Sequence, residues 1–215
     1  MRSALACGLV TAAVVVGSAY AATLGVTSRQ LTESSRAVVV QTCTLSAATA
    51  DSYTREDAGS SNFGTATTLD VRNLLAARRF SFVRFDLSSC AIPSGAWVES
   101  ATLTLTVLAA PLTSLTYEVH RVTAGWGQGT ITWSNQPVVS PSPSATFTTG
   151  TTAPATRQVA VTADVDAFVA GTATNNGWRI RDPNTLSTGA TLVQFASTEN
   201  GTAANRPRLE IRYAR

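Results

Sequence analysis

The chain has 215 residues, 44% of them apolar, and a formal net charge of +3. That length and apolar content allow a full hydrophobic core in one folded domain behind a leader. All 16 cationic side chains are arginines, set against 13 acids, without the dense basic stripe of a nucleic-acid binder, so no nucleic-acid partner is predicted.

Residues 1–21 (MRSALACGLVTAAVVVGSAYA) carry one basic residue, Arg2, an apolar run from Ala4 to Val16, and the small-x-small triplet Ala19-Tyr20-Ala21. This is the layout of a secretory signal and its cleavage site. A mature chain starting at Ala22 is therefore predicted to be secreted and extracellular. An uncleaved anchor is the alternative, and only that reading would place the protein at a membrane. Export removes Cys7 and leaves Cys43 and Cys90 as an even pair in an oxidising compartment, which predicts one disulfide.

Residues 22–47 hold a polar, weakly patterned extension and a first apolar strand, AVVVQTCT (37–44). The domain proper is placed at 48–215. SFVRF (81–85) reads as a strand, and ATLTLTV (101–107) alternates, with Ala101, Leu103, Leu105 and Val107 inward and threonines outward. YEVHRV (117–122), WRIR (178–181), TLVQFA (191–196) and RLEIRY (208–213) continue the pattern. Many short strands at this spacing predict a sandwich or barrel. Only TADVDAFVAG breaks the period: Thr162 can cap a short helix with Val165, Phe168 and Val169 on one face, and Gly171 can end it. The helix is expected to plug one end of the sandwich. Residues 135–155, with four prolines, read as a long surface loop with room for one edge strand.

Catalytic constellations are thin. GWGQG (125–129) has no lysine and leads into a strand rather than a helix, so it is no phosphate loop. Asp164 and Asp166 lie two apart on a helix, where side chains do not face each other, and read as solvated charges rather than an acid/base pair. His120, the one histidine, stands near Tyr117 and Arg121, a trio that a polysaccharide lyase could use. That reading ranks third.

The arginines on strands offer more. If Val83, Phe85 and Leu87 point inward, then Phe82, Arg84 and Asp86 point out; if Trp178 and Ile180 point inward, Arg179 and Arg181 point out. By the same parity Gln194 points out of its strand. Were these strands side by side, Arg84, Arg179, Arg181, Gln194 and Phe82 would form a flat surface whose guanidinium forks match the carboxylates of an acidic sugar chain.

Several words, in order, resemble the DNRLRE (disaggregatase-related repeat) domain, classed with carbohydrate-binding module family 96. They are ADSYTRE (50–56), NFGTATTLDV (62–71), RRFSFVRFDLSSCAIPSGAWVESATLTL (78–105), HRVTAGWGQGTITWSNQP (120–137), VDAFVAGTATNNGWRIRD (165–182) and FASTENGTAANRPRLEIRY (195–213). The resemblance implies an all-β, jelly-roll-like antiparallel sandwich with one short helix. It also implies a non-catalytic extracellular module that binds acidic polysaccharides such as alginate through basic residues on an outer sheet. Arg84 and Arg181 match the basic strand positions, with Gln194 where a basic residue is often seen. Gln128 and Ala160 depart from the acidic residues common at their positions. No cofactor is implied, and no metal ligand is assigned. The W-x6-W word places Trp126 and Trp133 as residues that pack a loop onto the sandwich, with a sugar-stacking platform as the alternative.

The reading is thus a secreted, monomeric carbohydrate-binding module for an anionic polysaccharide. A structural or adhesive β-sandwich without a sugar site is the runner-up.

Overall fold

A computed structural model of the chain describes residues 39–184 and 191–215. The leader and the polar extension lie outside the described residues, as does the start of the first predicted strand. The described residues form eleven strands and one α-helix: β1 Val40–Leu45, β2 Ala50–Arg55, β3 Thr68–Val71, β4 Arg79–Arg84, β5 Trp97–Ala109, β6 Thr116–Arg121, β7 Ala145–Thr148, β8 Ala155–Ala160, α1 Thr162–Val169, β9 Trp178–Arg181, β10 Val193–Ala196 and β11 Arg208–Ala214. None of the described helices is long and apolar enough to cross a membrane.

Two antiparallel sheets face each other. One runs β2-β4-β9-β6-β7; the other runs β1-β11-β5-β10-β3 and adds β8. Thr104 pairs with Arg208 on β11 and with Gln158 on β8, while Val107 pairs with Phe195 on β10 and with Ala155 on β8. A strand has only two edges, so β8 lines one edge of β5 while β11 and then β10 line the other. The length of β5 makes this sharing possible. The strand β8 was not anticipated, because Val159 is its one fully buried apolar side chain. The strand β7 is the edge strand foreseen in the proline-rich loop.

Alternation decides the core. Leu103, Leu105, Val107, Leu209, Ile211, Val193 and Phe195 from one sheet meet Val83, Tyr117, Val119, Trp178 and Ile180 from the other, all of them at most 1% exposed. Each side chain of this size contributes about 1.5–3 kcal/mol on burial. Tyr117, Phe147 and Phe195 pack with ring centroids 5.9–6.5 Å apart.

The helix α1 closes this core with Val165, Phe168 and Val169 as expected, and Gly171 ends it at φ +71°. Its start differs. Thr162 is the first helical residue rather than the cap, and its hydroxyl accepts the N–H of Ala101 at 3.0 Å, tying helix to sheet. Asp164 is also not a solvated charge: it is 7% exposed and accepts the indole N–H of Trp178 at 2.7 Å. Cys43 on β1 and Cys90 beyond β4 form the expected disulfide. Since β1 pairs along its whole length with β11, it belongs to the sandwich.

A second, smaller core lies on the far side of the β2-β4-β9-β6-β7 sheet. Phe82, Val122 and Ile131 are buried there, with Phe80, Trp126 and Val139 against them. The segment between β6 and β7 folds back over the sheet to make it, through bonds from Ser134 N to Gly59 O and from Ser140 N to Arg121 O. Asn62 Nδ2 holds this segment by donating to the carbonyls of Gln128 and Ile131, each at 2.7 Å. Gly64 permits the approach, since a Cβ there would lie 2.3 Å from the Gln128 carbonyl oxygen.

Candidate functional site

The strands β4 and β9 are antiparallel neighbours, with Phe82 opposite Arg179, and β9 pairs in turn with β6, with His120 opposite Arg179 and Glu118 opposite Arg181. Period-2 alternation therefore sends Arg84, Phe82, Arg179, Arg181, Glu118 and His120 to one side, away from the main core. The expected gathering of Arg84, Arg179 and Arg181 on one sheet face is what the fold produces.

Two members of the sequence-derived set do not join it. Phe82 points the right way but is fully buried, because the ring of Trp126 covers it at 5.8 Å. It is a core residue rather than a contact surface. Gln194 lies on β10 in the opposite sheet, where its Nε2 donates to Asp70 Oδ1 at 2.9 Å. Parity fixes whether a side chain points in or out, but it does not fix which sheet the strand enters.

Each guanidinium of the face has a defined neighbour. Arg84 stacks over Trp126 at 5.3 Å and donates to its carbonyl at 3.2 Å. An open depression of about 390 Å³ adjoins it, lined by Thr49, Arg84, Phe85, Asp86 and Asn175. Arg179 lies 4.8 Å over the ring of Phe80. Its Nε is buried without a partner, and no carboxylate pairs with it among the described residues. Burial first, and the charge of Arg181 second, push its pKa down to about 10, so it remains a cation at neutral pH. Arg181 binds Glu118 Oε2 through Nε at 2.7 Å and through its terminal nitrogen at 2.6 Å. Burial raises the Glu118 carboxyl, but hydrogen bonds from His120 and Arg181 outweigh it and hold the group below its ordinary value.

Sequence reasoning missed the continuation of this face. Phe80 packs on Trp133 at 5.0 Å, and Arg78 covers Trp133 at 5.3 Å while pairing with Glu56. Arg78, Trp133, Phe80 and Arg179 thus form a run of two packed rings with a cation over each, a stacking arrangement that suits flat sugar faces and charged groups alike. Phe80 shares the parity of Phe82 and Arg84, and that was the available signal. Both tryptophans pack the loop onto the sheet, and the indole N–H of Trp126 is spent on Asn176 O at 2.8 Å.

The profile of carbohydrate-binding module family 96 matches residues 42–213. The chain belongs to carbohydrate-binding module family 96. No curated protein matches it. For a family 96 module the surface that matters is one that meets a glycan, and catalytic geometry is not required of it. The fold separates two members of the trio His120, Tyr117 and Arg121. Tyr117 is buried in the main core and its hydroxyl donates to Thr191 O, whereas His120 points to the other side of β6, between Glu118 and Ser140 O at 2.9 Å each. Their side chains leave opposite faces of one strand and cannot converge on a substrate.

The module also holds buried polar groups that are not among these arginines. Asp51 on β2 is 1% exposed, and burial, partly offset by hydrogen bonds from Thr198, pushes its pKa up to about 7, with Glu199 adding to the rise. Gln128 Nε2 donates to Gly64 O at 2.6 Å and to Glu199 Oε1 at 2.7 Å, so this departure from the family pattern is a structural tie between loops.

Proposed function

We propose that this module binds an acidic polysaccharide such as alginate on the outer face of the β2-β4-β9-β6-β7 sheet, through Arg84, Arg179 and Arg181. The observation that carries the reading is Arg179. It is a guanidinium on a rigid central strand, laid on an aromatic ring and lacking a carboxylate partner among the described residues. Arg181 beside it shares its one acid, Glu118, with His120, so the pair has positive charge to spare for a uronate. Exposed ion pairs are worth about 0–1 kcal/mol each. A single site therefore reaches roughly the millimolar to micromolar range, and avidity along a repeating polymer supplies the rest.

The module acts without chemistry of its own, as a monomer outside the cell. The leader-like residues 1–21 support export, as does the Cys43–Cys90 disulfide, a bond that persists in oxidising compartments. Affinity electrophoresis in gels containing alginate tests the reading. The wild type should be retarded, Arg179→Ala/Arg181→Ala should run free, and a neutral glucan should retard neither. Retardation should fade as salt shortens the Debye length from about 10 Å at 0.1 M to about 3 Å at 1 M. Equal retardation of wild type and double variant would reject the arginine face, and no retardation by any glycan would favour the structural or adhesive reading.

A further inference from the structure

Asp51 and Glu199 are neighbouring carboxyl groups whose oxygens are unequally served. Asp51 Oδ2 accepts the backbone N–H and the hydroxyl of Thr198, each at 2.8 Å. Asp51 Oδ1 is buried with no hydrogen-bond partner. Glu199 repeats the asymmetry: Oε1 accepts from Gln128, and Oε2 is buried with no partner. Beside them Gln128 Oε1 accepts one bond, from Asp51 N at 3.2 Å, and so keeps a free lone pair.

Oxygens of ionised carboxylates removed from water without a donor or counter-charge are costly. Among the described residues no arginine or histidine forms an ion pair with either group, and no set of three or more acidic, histidine or cysteine side chains gathers here. One shared proton would cancel only half the charge of the pair. A divalent cation would cancel all of it and engage both free oxygens. The donors are all hard oxygens and two are anionic, which selects calcium or magnesium over softer metals. They come from three separate segments rather than from a preformed octahedron, which favours calcium, the ion with the looser geometry.

We propose that Asp51 Oδ1, Glu199 Oε2 and Gln128 Oε1 bind a calcium ion, with water completing its coordination. The ion joins β2, the segment after β10, and the loop that carries Trp126 and Trp133 over the second core. It is thus a fastener for the covering loop, and the proposal does not depend on whether the arginine face binds sugar.

The test uses the mature protein freed of metal with a chelator, titrated calorimetrically with calcium chloride and, separately, with magnesium chloride. One saturable calcium site is expected, with weaker or no binding of magnesium. The melting temperature should rise with calcium concentration as mass action requires. Glu199→Gln keeps an oxygen to accept from Gln128 and removes one charge, so calcium affinity should fall by roughly tenfold or more. Asp51→Asn, if it folds, should do the same. Absence of calcium heat and of any melting shift in the wild type would overturn the proposal, as would equal affinity in Glu199→Gln. Stabilisation by acid with indifference to calcium would also overturn it, in favour of a shared proton.

Discussion

Phe82 and Arg179 are register partners on adjacent strands and leave the sheet on the same side, yet the ring is fully buried and the arginine only partly so. The difference lies in reach. A phenyl ring against Trp126 is sealed by it, whereas the longer arginine lays its charged end on Phe80.

Phe82→Ala should therefore act on stability. The cavity it leaves in the small core should cost about 3–5 kcal/mol, read as a lower urea midpoint, with glycan binding lost only where the protein unfolds. Arg179→Ala should do the reverse, shifting stability by less than about 1 kcal/mol while reducing retention on an alginate gel. Equal loss of stability in both variants would mean that the covering loop depends on the guanidinium.

Glu118→Gln should strengthen binding to an anionic polymer at neutral pH, because it removes the carboxylate that occupies Arg181. Its effect on stability carries a definite sign. The Glu118 carboxyl lies below its ordinary 4.5 in the folded protein. The stabilisation it provides is present above that value and is lost as pH falls through the lower folded pKa. Wild type should have the higher urea midpoint at pH 6, and its advantage over Glu118→Gln should vanish on acidification. An advantage that persists in acid would show that packing around Glu118, rather than its charge, is responsible.

Replacing Cys43 and Cys90 together with alanine should lower stability by up to about 4 kcal/mol in the chain-entropy view, since the bridge spans 47 residues. Reductant added to the wild type should reproduce the shift in the urea midpoint. Two free thiols in the unreduced protein, counted by mass spectrometry after alkylation, would contradict the bridge itself.

Asp164→Ala removes the acceptor of the Trp178 indole N–H and leaves that donor unpaired at the bottom of the core. A loss of about 1–3 kcal/mol is expected, visible in melts followed by tryptophan fluorescence. Asp164→Asn retains an acceptor oxygen and should recover most of it. If Asn is as damaging as Ala, the negative charge near Arg121, at 3.8 Å, is what the site requires.

The sequence by itself determined much of the sandwich. ATLTLTV and RLEIRY alternate so regularly that their apolar residues must share one face, and both strands appear where the alternation places them, although Thr104 and Thr106 on the other face of β5 are buried as well. The pairing of Cys43 with Cys90 follows from an even count once Cys7 is set aside, and Gly171 marks the helix end because it tolerates positive φ. The outward direction of Arg84, Arg179 and Arg181 was legible for the same reason, since parity is a local property of an extended chain. What lies over an outward face is not local. The segment 122–144 has no strand periodicity, and it folds onto β4 because Phe82, Ile131, Val122 and Trp126 bury one another, a set of contacts between residues far apart in sequence. That packing turned Phe82 from a surface residue into core and left Arg179 half-buried over Phe80. Sheet membership, too, is decided by pairing partners rather than by a strand's own residues. So Gln194, outward as its parity required, ended beside Asp70 on the opposite sheet, and Asp51, Gln128 and Glu199 met only because two loops closed on β2.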